Sequence, residues 1–156
     1  MKISVLKLRF VVLLNMILVA ACPVMAQKIL IPMDLRQTDH LKAYGMAYWA
    51  LMKNVDVDWL LNYRGGSFMI GGFEIVAAEC RIRGVAYEEL GGSEAAQIYS
   101  DVQAEDNNMD VVRLEKPPKI AVYVPPNFLP WDDAVTLAMD YAEIPYDKVW
   151  DDEVVK

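Results

Sequence analysis

Short apolar runs alternate with longer stretches of helical periodicity along most of this chain, and that rhythm limits the fold more than any other feature. Lys28-Ile-Leu-Ile31 is apolar and stops at Pro32, which suits a buried strand followed by a loop. Thr38 or Asp39 can cap a helix from about His40 to Lys53, where Leu41, Tyr44, Tyr48, Leu51 and Met52 recur at helical spacing as one apolar face. Val57 to Asn62 reads as the next strand, closed by Arg64-Gly65-Gly66. A second helix is expected over Phe73 to Arg83, with Phe73, Val76, Ala77 and Cys80 on one side and Gly84 as its stop. A strand at Val85 to Tyr87 follows, then a helix opening at Gly91-Gly92-Ser93 and running to about Gln103.

The rhythm then starts again. Glu105-Asp106-Asn107-Asn108 is a polar loop, and Lys116-Pro117-Pro118 is stiff punctuation before the strand Lys119 to Val124. A helix from about Trp131 to Ala142 and a strand from Tyr146 to Trp150 complete a second β-α-β unit. Displacing the sequence by 91 positions aligns Lys28 with Lys119, Ala43 with Ala134, Ala47 with Ala138 and Trp59 with Trp150. One supersecondary unit therefore occurs twice. The expected class is α/β, with a mostly parallel sheet of the Rossmann or flavodoxin kind built from repeated β-α-β units. The divisions are a leader over 1–26, a first α/β unit over 27–115 and the start of a second over 116–156. A parallel sheet ending at Trp150 with no helix to cover it leads us to expect that the natural chain continues past Lys156.

Residues 1–26 have a different character. Lys2, Lys7 and Arg9 precede an apolar run from Phe10 to Ala21, and Val24 and Ala26 place a cleavage site before Gln27. This is the layout of a secretory signal, too short to span a bilayer as a helix, which needs roughly 20 residues. Export to the periplasm or the medium is the expectation. Val19-Ala20-Ala21-Cys22 offers the alternative of lipid attachment at Cys22, and Pro23 together with the downstream site favours release.

Removing that segment sharpens the charge balance. The whole chain has 15 basic and 22 acidic residues in 156, and the exported part keeps 12 and 22, a net charge of −10. Nucleic acid is an unsuitable partner, since phosphate binding needs clustered Lys and Arg. Cys80 is the one cysteine left, so no internal disulfide can form. No transmembrane helix is expected in the mature chain, and no motif calls for a metal or cofactor.

The candidate ligand-binding residues gather at predicted strand ends. Arg64, Gly65, Gly66 and Ser67 follow a strand where open parallel sheets place ligands, with backbone amides, a bidentate cation and a hydroxyl in sequence. A simple turn is the plainer reading. Asp34 ends another strand and can face Arg64, and His40 opens the next helix. A ligand there would be a small anion or an amide. Cys80 falls on the apolar side of a helix, the position of a buried structural cysteine. Asp132-Asp133 suits a helix N-terminus. Tyr44, Tyr48, Trp49, Trp59 and Tyr63 make an aromatic set that serves the core, a carbohydrate or a protein partner.

Lys28 to Asp34, His40 to Gly45, the run Val55 to Ser67 and Pro130 to Leu137 resemble a family of exported proteins from Bacteroidetes-type bacteria, usually labelled asparagine synthetase B. The resemblance covers the mature chain and implies the N-terminal part of a longer protein with a class I glutamine amidotransferase-like, or ThuA-like, α/β region. The labelled reaction needs an N-terminal cysteine nucleophile and a Ser-Gly-Gly-x-Asp-Ser loop, whereas residue 2 is Lys and no such loop is present. With no catalytic residues assigned, the expectation is an exported binding region. The alternatives are an amidotransferase or amide hydrolase with its catalytic residues downstream, or a module that binds a cell-envelope partner.

Overall fold

A computed structural model of the chain describes residues 27–125 and 133–154. The leader with Cys22 and the stretch Pro130-Trp131-Asp132 lie outside the described residues. The strands are β1 (Lys28–Ile31), β2 (Val57–Leu61), β3 (Ser67–Ile70), β4 (Glu88–Leu90), β5 (Asp110–Leu114), β6 (Ala121–Tyr123) and β7 (Asp147–Val149). The helices are α1 (His40–Met52), α2 (Phe73–Arg83), α3 (Gly92–Val102), α4 (Ala134–Ala142) and the short α5 (Asp151–Val154).

Five strands form one sheet in the order β4-β1-β3-β2-β5, and β6 and β7 form a separate parallel pair. Every neighbouring pair in the larger sheet is antiparallel. This overturns the expected Rossmann-like parallel sheet. The reason is β3: Ser67-Phe-Met-Ile70 returns from the Arg64 turn and inserts between β1 and β2. Strands β1 and β2 still run in the same direction, but they flank β3 instead of pairing. Likewise β3 and β4 share a direction and flank β1. The run β1-α1-β2-β3-α2-β4 thus has the split β-α-β, ferredoxin-like connectivity, and β5 extends it beyond β2.

The two faces of the sheet are covered differently, because alternate residues of a strand point to opposite sides. Ile29, Ile31, Val57, Phe68 and Ile70 pack under α1 and α2, against Ala43, Met46, Ala47, Ala50, Val76, Ala77 and Cys80. On the opposite face Leu30, Leu60 and Met69 pack under α3, against Ala95, Ile98 and Tyr99. The buried stripe of α1 is turned from the one expected. Leu41, Tyr44 and Met52 are each more than two-fifths exposed, while Ala43, Gly45, Met46, Ala47, Ala50 and Leu51 face inward. Small residues let the helix lie close to the sheet.

Local signals set the helix ends. The Asp39 side chain caps α1 by accepting from the Lys42 N–H at 3.0 Å, and Gly84 ends α2 in the left-handed conformation. Asp133 caps α4 by accepting from the Thr136 N–H at 2.9 Å, which agrees with the helix-start reading for that residue. The expected strand at 85–87 lies at 88–90 instead, because Val85 is drawn into the core beneath α2.

The repeated unit is present as two β-α-β segments with different outcomes. In the second, β6 and β7 pair directly, through Ala121 with Asp147, Val122 with Lys148 and Tyr123 with Val149. In the first, β3 occupies the corresponding place.

Candidate functional site

The expected Arg64 site is a tightly closed turn. Asn62 and Arg64 both have positive φ, at 59° and 47°, and Gly65 and Gly66 continue at 84° and 91°. Gly65 is required on two counts: its φ suits glycine, and a Cβ there would run into the Met33 carbonyl. The Met33 N–H in turn donates to the Arg64 carbonyl at 3.2 Å, fastening the turn to the end of β1.

Asp34 and Arg64 do meet. Arg64 Nε donates to Asp34 Oδ2 at 2.7 Å, and its Nη1 donates to Glu88 Oε2 at 2.9 Å. Arg36 adds a bond to the other oxygen of Glu88 at 3.2 Å, and its backbone N–H donates to Asp34 Oδ1 at 2.9 Å. Hydrogen bonds from Arg64 hold the carboxyls of Asp34 and Glu88 below their ordinary range. Glu88, then Asp34, make the guanidinium still harder to deprotonate. Two cations and two carboxylates leave the cluster neutral, and Arg64 Nη2 is buried without a hydrogen-bond partner among the described residues.

The remaining members of the expected site are used internally. Ser67 is fully buried, and its hydroxyl donates to the Tyr63 carbonyl at 3.0 Å. The Gly66 carbonyl accepts from Trp59 Nε1 at 3.0 Å. His40 Nε2 lies 3.2 Å from the Met33 carbonyl, which places its proton on that nitrogen. Cys80 lies in the core, and burial pushes its thiol up to about 12. Among the described residues no group of three or more His, Cys, Asp or Glu side chains is arranged to hold a metal ion.

A different feature has the shape of a binding site. On the face covered by two helices, α1 lies over β2 and β3 and α2 over β1, so the part of the face at β5 lies beyond α1. There a groove of about 540 Å³ opens between α1 and the segment joining β5 to β6. Tyr44, Tyr48, Trp59 and Phe68 supply aromatic walls, with Leu51, Leu114, Ile120 and Ile144 between them. Phe68 organises the rings: Trp59 stacks with it at 6.3 Å and 25°, and Tyr44 meets it edge-on at 5.7 Å and 75°. The Tyr48 hydroxyl donates to the Pro118 carbonyl at 3.0 Å, holding the connecting segment across the groove.

The sequence singled out Tyr44, Tyr48 and Trp59 as an aromatic set, and the structure brings these three to one groove. Trp49 packs instead against the core, with the Lys53 ammonium 5.9 Å from its ring. Leu114, Ile120 and Ile144 had no functional signal, because each is an ordinary apolar position in its own element and only the tertiary fold makes them neighbours. Among the described residues no helix is long and apolar enough to cross a membrane. No known protein family, curated protein or solved structure matches the chain.

Proposed function

We propose that this chain is an exported binding domain of the family labelled asparagine synthetase B, and that its ligand site is the aromatic groove between α1 and the β5 to β6 connection. The family reading rests on the resemblance of the run from Val55 to Ser67 and its flanking segments. The observation that carries the site is the groove itself, whose size lies within the range of about 300–1,000 Å³ typical of ligand pockets and whose walls are mostly apolar. Rings in stacked and edge-on contact suit a flat apolar group of the ligand. Binding, not catalysis, is the role that fits. The Cys80 thiol stays protonated in the core, and Arg64 spends its Nε and Nη1 on the carboxylates of Asp34 and Glu88.

The test is a titration of the mature chain with the neutral dye N-phenyl-1-naphthylamine, read by dye emission and by quenching of Trp59. Saturable binding is expected. Filling the groove with Leu114→Trp or, separately, Ile144→Trp should weaken the dye by at least about tenfold, or 1.4 kcal/mol. Dye affinity unchanged in both folded variants would place the site elsewhere.

A further inference from the structure

The groove adjoins a sheet edge that is left open among the described residues. Strand β5 pairs with β2 on one side and ends the strand order there. An edge strand presents a row of unpaired N–H and C=O groups, and proteins usually blunt such edges with charge, proline or cover. At the carboxyl end of β5, the residues from Arg113 to Lys116 line the groove. Past the strand, Glu115 and Lys116 make no main-chain to main-chain hydrogen bond among the described residues. Hydrogen-bonding backbone and an apolar, ring-walled depression thus lie side by side.

The charge at this place runs against that of the chain. The sequence has seven more acidic than basic residues, yet Lys116 and Lys119 are both exposed and neither has an ion-pair partner among the described residues. Two exposed acids without an ion pair among the described residues adjoin them, Glu115 in sequence and Asp147 across the β6–β7 pairing. Arg113 takes no part, because its guanidinium is held by Asp56 and Asp58. Pro117 and Pro118 keep the two lysines on a stiff, extended segment that Tyr48 ties to α1.

We infer that the groove receives an extended peptide from a partner protein, added as a strand beside the end of β5. One apolar side chain, best an aromatic one, enters the groove, and an acidic residue of the peptide lies against Lys116 and Lys119. In strand addition, main-chain hydrogen bonds supply affinity and pockets for alternate side chains supply selectivity. Both parts are present here within four residues of β5 and its extension. This inference rests on the groove being the binding site.

The experiment uses the mature chain and a fluorescein-labelled octapeptide of alternating Val and Thr, with one central Phe and two terminal Asp residues. Two further versions carry backbone N-methyl groups on one or the other set of alternate residues, and a fourth has Lys in place of Asp. The parent peptide is expected to bind. One N-methyl pattern should weaken it by at least about tenfold while the other is tolerated, since a strand uses alternate amides to pair with one neighbour. The Lys-ended peptide should bind more weakly than the parent, and the double variant Lys116→Glu/Lys119→Glu should reverse that preference. The inference is overturned if a chain that binds the neutral dye ignores the parent peptide up to millimolar concentration. It is equally overturned if both N-methylated peptides bind like the parent, or if the double variant leaves the charge preference as it was. Failure of the dye itself would instead remove the groove as a site.

Discussion

Gly45 of α1 lies against the main-chain carbonyl of Ala142 in α4, so close that the oxygen stands where a Cβ would be. This contact joins the two sheets, and it is reinforced by Lys42 and Arg83, which both reach Glu143, at 3.1 and 3.0 Å. Alanine at an exposed helix position would stabilise α1 by roughly 1 kcal/mol over glycine. Here the clash is with backbone, which cannot rotate away, and overpacking typically costs about 1–3 kcal/mol. Gly45→Ala is therefore expected to lower stability in urea denaturation and to weaken dye binding, because Ile144 moves with α4. A gain in stability would show that the helices are not in register at this point.

The Arg64 cluster makes a prediction about pH. Asp34 and Glu88 have carboxyls depressed below their ordinary values of 3.8 and 4.5 by hydrogen bonds from Arg64. Depressed carboxylates stabilise the fold above the unfolded-state values, and that contribution disappears as pH falls through the folded-state values. The stability difference between the native chain and Arg64→Ala should thus be largest near neutrality and shrink below about pH 4. Arg64→Gly should be the milder change, by up to about 1 kcal/mol, since φ is 47° at this residue. A difference that stays constant from pH 7 to 3 would show that the ion pairs contribute nothing and that only the turn geometry matters.

The sequence made the helices and the twofold β-α-β rhythm visible but concealed the sheet. Alternation at β1, α1 and β2 is correct, yet it implies parallel pairing only if nothing enters between the strands. Ser67-Phe-Met-Ile70 is a four-residue apolar run immediately after two glycines, and its buried sides gave no period-two pattern to distinguish it from a continuing loop. Once β3 is inserted, the pairing must be antiparallel. Strand β5 was hidden in the same way, at an edge where Asp110 and Arg113 interrupt the apolar residues. At the expected site, the meeting of Asp34 with Arg64 was legible because both follow strand ends. Glu88 was not, since its arrival depends on β4 pairing with β1. The groove's apolar members come from α1, β5 and the second unit, and no local spacing announces such a meeting.

Cys80 should be chemically silent in the folded chain. Its side chain is fully buried between α2 and the sheet, and burial, then the charge of Glu79, raise the thiol to about 12. A thiol reagent such as DTNB at pH 8 should react at least about a hundredfold more slowly than with a free cysteine, and at the normal rate once urea unfolds the protein. Cys80→Ala should retain the fold at a cost of about 1–2 kcal/mol for the lost packing. Fast reaction in the native state would mean that α2 opens from the sheet far more often than its buried face suggests.

Asp58 gives the sharpest test of the sheet's other face. It is only 7% exposed, and Tyr99 of α3 donates its hydroxyl to Asp58 Oδ2 at 2.6 Å while accepting from Lys28 Nζ at 2.9 Å. Lys28 lies 3.6 Å from the same carboxylate, so a cation, a phenol and an anion form a closed chain across β1, α3 and β2. Burial and the neighbouring carboxylate both push the Tyr99 phenol upward, keeping it a neutral donor throughout the working range of pH. Tyr99→Phe leaves Asp58 short of a partner in a place water reaches poorly, and a loss of about 1–3 kcal/mol is expected in urea denaturation. Asp58→Asn lowers the demand for that donor, so the two substitutions together should cost less than the sum of their separate effects, with a coupling of about 1 kcal/mol. Strict additivity would mean that the hydroxyl and the carboxylate are neighbours without mutual dependence, and that α3 is held to the sheet by Ala95, Ile98 and the ring of Tyr99 alone.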